Sequence, residues 1–255
     1  MSISSRLTIS VALLTFIVLI VVAWAVLRPS GPLLIEADFG LSVISPNADG
    51  LNDVTRVRYV LSQPAKVSIY FLDEYGERYE FRPAMPRQSG EYELLFSGVV
   101  DGYLLAEEEV EGSVLARVLQ DGEYTWVIEA RNSAEQTRLS GELTVVHSDS
   151  SLPALYGFSV SPPVFTPNRD GISDRVWINL FLAKEARVTV TLIDEHGARL
   201  PISEREGAAA PGAVGFHTFE YEGGVDLGVS PPPDGVYDAI ALAEDRIGQK
   251  VEAKG

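Results

Sequence analysis

The chain repeats itself at an offset of 121 residues, without a gap over more than thirty positions. The first copy covers residues 45–79 and the second covers residues 166–200. The shared residues are Pro46, Asn47, Asp49, Gly50, Asp53, Asp73, Glu74 and Gly76 in the first copy, and Pro167, Asn168, Asp170, Gly171, Asp174, Asp194, Glu195 and Gly197 in the second. Self-similarity at one fixed offset indicates that a structural unit has been duplicated. A chain of 255 residues has room for two such units of ordinary domain size.

A second signature lies near the end of each copy, with Asp-Gly-Glu-Tyr at 121–124 and Asp-Gly-Val-Tyr at 234–237. Between the signatures the copies differ in length. The first carries an acidic insert at 106–118, and the second carries an Ala/Gly/Pro-rich loop at 206–215. The acidic insert allows a short helix near 105–119, which Gly112 weakens because glycine disfavours helix interiors.

The pattern within each copy is typical of β structure. Val67, Ile69 and Phe71 alternate with other residues, which indicates a half-buried strand, and 188–192 repeats the alternation. An Asp-Glu-x-Gly turn ends each of these strands, and further strands are expected over 124–130 and 237–243. Short strands with frequent turns predict an all-β fold of two tandem antiparallel sandwiches, over residues 31–148 and 149–255. The short boundary at 147–153 predicts that they stack as a semi-rigid rod.

Residues 7–27 form an uncharged, apolar run of 21 residues between Arg6 and Arg28. At 1.5 Å per residue a helix of this length spans roughly 30 Å, the thickness of a bilayer core. We therefore predict that residues 1–30 comprise a short tail and one transmembrane α-helix, whose partner is membrane lipid. The alternative is a cleaved signal peptide with a site at Ala23-Trp24-Ala25, but the run is longer than a usual signal sequence.

Charge is distributed unevenly along the chain. The net charge is −16, and residues 31–255 alone carry −18 because Arg6 and Arg28 precede them. A region this acidic argues against binding to nucleic acid, which needs clustered Lys and Arg. The mean hydropathy of +0.10 is the average of an apolar N-terminal segment and this acidic region.

The Asn-x-Asp-Gly-x-x-Asp loops are the candidate binding sites. Each places three oxygen-bearing side chains and a turn glycine within seven residues, namely Asn47, Asp49 and Asp53 in the first copy and Asn168, Asp170 and Asp174 in the second. This spacing is compatible with a Ca²⁺ loop, although Ca²⁺ prefers six to eight oxygen ligands. The alternative is an Asx-type turn in which the side chains bind backbone N–H groups. The small number of carboxylates favours the structural turn, and we expect no other cofactor.

Motifs for catalysis are missing from the sequence. It has no cysteine, which excludes a disulfide framework and a cysteine nucleophile. It has no Gly-x-Ser-x-Gly, P-loop or His-Glu-x-x-His motif. The three histidines (His147, His196 and His217) are scattered, and we interpret them as surface or strand residues. We therefore expect that the protein is not an enzyme.

The order Ser/Thr-Pro-Asn-x-Asp-Gly-x-x-Asp, strand, Asp-x-x-Gly and Asp-Gly-x-Tyr resembles the Ig-like domain of the flagellar hook-capping protein and the C-terminal domains of gliding-associated bacterial surface proteins. The resemblance covers both copies, about 220 residues. It implies an Ig-like sandwich on the exported side of a bacterial membrane, without catalysis. Family members often have glycine where this chain has Ala48 and Arg169, so no positive φ is expected at these positions. The usual Trp-x-Gly is replaced by Phe-Ser-Gly at 96–98 and Tyr-Glu-Gly at 221–223.

These inferences predict a single-pass protein of the cell membrane whose C-terminal domains lie outside the cytoplasm. Its expected function is that of a non-catalytic binding or scaffolding module, an accessory subunit of a membrane or cell-surface complex with a protein partner that the sequence does not name. The alternative is a structural subunit or anchor of a surface filament or envelope layer, in which the chain forms homo-oligomers.

Overall fold

The computed structural model describes residues 13–20, 31–205, 209–224 and 231–255. These residues form a mostly β structure of the sandwich type. The described strands are β1 (Leu34–Phe39), β2 (Val43–Ile44), β3 (Thr55–Leu61), β4 (Ala65–Leu72), β5 (Arg78–Arg87), β6 (Gly90–Phe96), β7 (Val99–Asp101), β8 (Ser113–Val118), β9 (Gly122–Arg131), β10 (Gln136–Val145), β11 (Leu155–Ser161), β12 (Val176–Leu182), β13 (Arg187–Asp194), β14 (Arg199–Ile202), β15 (Gly215–Tyr221), β16 (Tyr237–Glu244) and β17 (Lys250–Lys254).

The first repeat contains a three-stranded sheet in the order β1-β3-β6 and a five-stranded sheet in the order β2-β10-β9-β4-β5. Their pairing is antiparallel except between β2 and β10. Side chains that alternate along each strand fill the space between the sheets. Phe71, Phe96 and Ile128 are fully buried there, and one apolar cluster joins residues from Leu33 to Val145. Burial of this apolar surface is the main favourable term in folding.

The second repeat follows the same plan. Its three-stranded sheet has the order β11-β12-β15, and its larger sheet contains β14-β13-β16-β17. A second apolar cluster extends from Leu155 to Ala253 and includes the buried side chains of Ile178 and Phe219. The expected strand over 237–243 is β16, and the alternating segments at 67–71 and 188–192 lie in β4 and β13, so these predictions are confirmed.

The larger sheet of the second repeat is extended by two strands from the first. Strand β8 pairs with β17 in the antiparallel sense, and β7 pairs with β8, so this sheet has six strands among the described residues. The acidic insert therefore supplies a strand to the neighbouring repeat. The short helix expected near 105–119 is wrong. Residues Ser113–Val118 are extended because their backbone groups find partners on the free edge of β17.

Of the apolar N-terminal run, the structure describes residues 13–20, which are helical. No helix among the described residues is both long enough and apolar enough to cross a bilayer. The rest of the predicted span at 7–27 lies outside the described residues.

Candidate functional site

The first candidate loop is organised by the carboxylate of Asp53. Its Oδ1 accepts hydrogen bonds from the backbone N–H groups of Asn47 at 3.1 Å and Ala48 at 2.7 Å. Its Oδ2 accepts one from the N–H of Gly50 at 2.6 Å. One side chain thus satisfies three backbone donors that have no strand partner, and this fixes the path of the chain into β3.

The other two candidate ligands of this loop form Asx turns. Asn47 Oδ1 accepts from the N–H of Asp49 at 2.9 Å, and Asp49 Oδ1 accepts from the N–H of Leu51 at 2.8 Å. The second loop repeats these bonds with Asn168, Arg169, Asp170, Gly171, Ile172 and Asp174 in the same roles. The structure therefore brings each predicted trio together, and the side chains act on the backbone as the structural alternative expects.

The backbone of both loops has positive φ angles at the same positions. Ala48 and Arg169 have φ of 62° and 64°, and the turn glycines Gly50 and Gly171 have φ of 90° and 86°. The expectation that Ala48 and Arg169 avoid positive φ is therefore wrong. A left-handed residue other than glycine is strained, and the carboxylate of Asp53 or Asp174 holds that residue's N–H in place.

Electrostatics in the loops favour ionised carboxylates. Partial desolvation acts to raise the pKa of Asp53, but the hydrogen bonds from the N–H groups of Asn47, Gly50 and Ala48 lower it below its usual range. The pKa of Asp174 is lowered against the same desolvation by the N–H groups of the equivalent loop. The carboxylate oxygens of Asp53 and Asp174 thus already accept backbone N–H donors.

Among the described residues, no group of three or more His, Cys, Asp or Glu side chains is arranged to hold a metal ion. Ca²⁺ binding by Asn47, Asp49, Asp53, Asn168, Asp170 and Asp174 stays the alternative to the structural turn, which the sequence favours.

A second polar site, which sequence reasoning missed, lies where the repeats meet. The carboxylate of Asp245 is buried and accepts from Lys184 Nζ at 2.7 Å and Gln249 Nε2 at 2.8 Å. Lys184 also contacts Asp149 at 2.8 Å and donates to the carbonyl of Ser151 at 2.9 Å. Lys184 therefore joins the linker to the buried carboxylate of Asp245 through charge-assisted bonds.

Arg117 of β8 forms the other half of this junction. It is 2% exposed and bonds Glu108 through both terminal nitrogens, one of them at 3.1 Å. Its Nη2 also donates to the carbonyl of Ser150 at 3.3 Å. The hydrogen bond from Arg117 lowers the pKa of Glu108. Because a buried arginine needs such partners, this pair fixes the acidic insert against the linker.

The outer face of the second repeat's three-stranded sheet exposes aromatic side chains. Tyr156, Phe181 and Phe216 are direct neighbours across β11, β12 and β15. The rings of Phe181 and Phe216 meet edge to face with centroids 5.0 Å apart. Phe216 is 72% exposed, and Trp177, on the same face of β12, is 37% exposed. Sequence reasoning missed this face, although the alternation along 176–182 could have indicated it.

The same face of the first repeat is charged. The offset of 121 places Arg56 at the position of Trp177, and Glu91 opposes Val60 as Phe216 opposes Phe181. Arg58 contacts Glu36 at 3.0 Å and Glu91 at 2.5 Å, so the face is covered by ion pairs. The second repeat thus presents aromatic side chains where the first presents charged ones, although Glu220, opposite Trp177, is also paired with Arg175 and Arg205.

The sheets and cores define an all-β protein of the sandwich class. No protein-family model and no curated protein matches the chain. It is similar to a chimeric titin Z1Z2-Z1Z2 tandem functionalised with a GRGDS exogenous peptide from fibronectin, at 13% identity over 86% of this chain and 97% of that chain, with a TM-score of 0.26. It is also similar to the YadV chaperone, at 11% identity over 87% of this chain and 99% of that chain, with a TM-score of 0.22. At these scores neither structure informs the function of this chain.

Proposed function

We propose that the chain is a non-catalytic, single-pass membrane protein that presents two tandem Ig-like sandwiches outside the cytoplasm as a protein-binding module. The observation that carries the binding function is the exposed aromatic face of β11, β12 and β15. Exposed groups of apolar side chains mark interaction sites, and a few residues, often Trp and Tyr, supply most of the binding energy at protein interfaces.

The first repeat supports this interpretation as an internal comparison. Its sheet has the same strand order and register, yet Arg56, Arg58 and Glu91 cover the equivalent face with ion pairs. The fold therefore does not require aromatic residues at these positions. Trp177, Phe181 and Phe216 are better explained by a partner with a complementary apolar surface.

The membrane anchor is supported by the apolar run at 7–27. The helical residues within it leave their side chains exposed, with Leu14 at 66% and Ile17 at 50%. A group of apolar side chains this exposed favours contact with lipid or another apolar surface. The run has no charge and the length that a bilayer core requires.

Site-specific crosslinking tests the binding function. A photoreactive phenylalanine analogue is incorporated into the full chain in place of Phe216, in cells that make the protein, and in place of Glu91 in a matched control. We expect one discrete crosslinked protein from position 216, none from position 91, and loss of the product when Trp177→Ser and Phe181→Ser are added. Equal products from both positions, or no product from either, would overturn the proposal.

The same experiment separates the two forms of the function. A crosslink between two copies of this chain would favour the structural subunit of a filament or envelope layer over the accessory-subunit interpretation.

Topology is tested independently by adding protease to intact cells. Removal of both repeats is expected, and complete protection would contradict the proposed location.

A further inference from the structure

A basic hollow lies at one end of the first repeat, the end at which β1 begins. Lys66 is the second residue of β4, Arg131 ends β9 and Arg87 ends β5. Strand pairing sets Lys66 opposite Arg131 and Ala65 opposite Arg87. With the adjoining turns these residues line an open hollow of about 720 Å³. Lys66 and Arg131 therefore lie side by side on one concave surface of a protein whose net charge is −16.

Nothing within the described part of the chain neutralises these charges. Lys66 and Arg131 are exposed and form no ion pair there, whereas Arg87 lies on the other side of the sheet over the ring of Tyr92, 5.4 Å from its centroid. The one acid that lines the hollow, Glu129, is already bound to Arg138 at 2.5 Å. Like charges directly opposite on paired strands destabilise a sheet. An external anion would relieve that cost.

The hollow lies at the same end of the first repeat as the start of β1. Ser62 donates from its Oγ to the carbonyl of Pro32 at 2.9 Å, and its N–H donates to the carbonyl of Leu33 at 3.0 Å. The turn at 62–64 then leads directly into β4 and Lys66. From Leu27 to Pro32 a fully extended chain reaches at most about 18 Å. If residues 7–27 cross the bilayer, this end of the repeat cannot leave its surface by more than that distance.

The charge around the hollow differs from that at the other end of the molecule. The turns at 62–64, 88–89 and 132–135 contain a single acid, Glu135. The turns at the opposite end of the second repeat contain the acids Asp170, Asp174, Asp194 and Glu195. An anionic surface attracts nearby Lys and Arg, and the attraction decays within about 8 Å at physiological salt. Of the two ends of the molecule, only the basic end of the first repeat would lie within about 8 Å of the bilayer surface.

We propose that Lys66 and Arg131 form a docking surface for the headgroups of an anionic lipid bilayer, which holds the first repeat on the membrane. This inference rests on the proposed membrane anchor. Each cation contributes about a fivefold preference for the docked state. Docking at this end directs the aromatic face of the second repeat and the acidic turns away from the bilayer.

Quenching by labelled lipid headgroups in vesicles tests the docking. Because the chain has no cysteine, Ser133→Cys gives a unique site for a fluorophore beside the hollow, and His196→Cys gives one at the far end. The full chain is reconstituted into vesicles of phosphatidylcholine alone or mixed with phosphatidylglycerol. We expect at least about twofold stronger quenching at 133 on the anionic vesicles, none at 196, and loss of the difference at high salt.

Charge reversal supplies the matched control. Lys66→Glu with Arg131→Glu is expected to abolish the lipid dependence at 133. Arg199→Glu with Arg246→Glu makes the same change of net charge away from the hollow and is expected to leave it intact. Equal loss with both pairs would overturn the docking surface, because it would show that only net charge matters.

Co-flotation of the chain with vesicles after an alkaline wash separates the two proposals. If the chain does not remain with the vesicles, the membrane anchor fails and the docking surface fails with it. If the chain remains but quenching at 133 is the same on both compositions, the docking surface alone is overturned. A change in fluorescence with inorganic phosphate but not with anionic lipid also overturns it, since the hollow would then bind a soluble anion.

Discussion

The side-chain carbonyl of Gln249 accepts a hydrogen bond from the backbone N–H of Val118 at 3.3 Å, although 131 positions separate the two residues. Gln249 is completely buried, and its Nε2 donates to the carbonyls of Asp149 and Ser151 at 3.0 and 2.8 Å. One side chain therefore satisfies backbone groups of a strand from the first repeat and of the linker together. This couples the repeats through contacts that neither makes alone.

Gln249→Ala is expected to lower the free energy of unfolding of the full chain by about 2 kcal/mol, because it leaves buried backbone groups without partners. Urea denaturation followed by tryptophan fluorescence measures the change. Gln136→Ala removes the same side chain from an exposed strand position and is expected to change stability by less than about 0.5 kcal/mol. Equal effects of the two substitutions would contradict the coupling role of Gln249.

Gly98→Ala is expected to destabilise the first repeat, because the new Cβ would lie 2.9 Å from Cγ of Pro46. Gly223 stands against Pro167 in the second repeat in the same way, at 2.8 Å. Gly98 ends the Phe-Ser-Gly segment at 96–98, and Gly223 ends the Tyr-Glu-Gly segment at 221–223. Each glycine packs on the proline that precedes the Asx loop of its repeat. Gly76→Ala serves as the control, since Gly76 has a similar φ of 81° but no atom near the added Cβ. We expect Gly98→Ala to lower the melting temperature more than Gly76→Ala, with overpacking adding about 1–3 kcal/mol.

Asp53→Ala is expected to reduce stability at neutral pH and to have less effect in acid. The pKa of Asp53 is lower in the folded state than the value of about 3.9 in the unfolded chain. At a pH between these two values, the unfolded chain binds more protons than the folded chain does. The stabilisation is therefore complete above about pH 4 and is lost as the pH falls through the folded pKa. Urea denaturation of the original chain and the variant at several pH values measures the difference, which should shrink in acid. A difference that stays constant would show that the charge of Asp53 is not involved.

Removal or addition of calcium is expected to leave the melting temperature unchanged. Both carboxylate oxygens of Asp53 already accept backbone N–H groups, and Asp174 does the same in the second loop. Differential scanning calorimetry with EDTA and with millimolar CaCl₂ tests this expectation. An increase in melting temperature with calcium that Asp53→Asn abolishes would instead establish the metal site.

Much of the local structure could be predicted from the sequence. The bonds that shape each Asx loop join residues at most six positions apart, so a seven-residue pattern contains both partners. The strands at 67–71 and 188–192 follow from alternation, and the turns at Gly76 and Gly197 follow from Asp-Glu-x-Gly. The left-handed φ of Ala48 and Arg169 was missed because residue type alone argues against it, whereas the neighbouring carboxylate determines it.

The amino-acid sequence alone determined that one unit occurs twice, because a repeat at a fixed offset can be recognised without knowing any contact. Only the tertiary structure decided that strand β8 of the first repeat pairs with β17 of the second, and that Arg117 and Gln249 are buried between them. The physical reason is that a strand sequence defines which side chains face inward but not which edge supplies its hydrogen bonds. That choice depends on long-range contacts between groups more than a hundred residues apart.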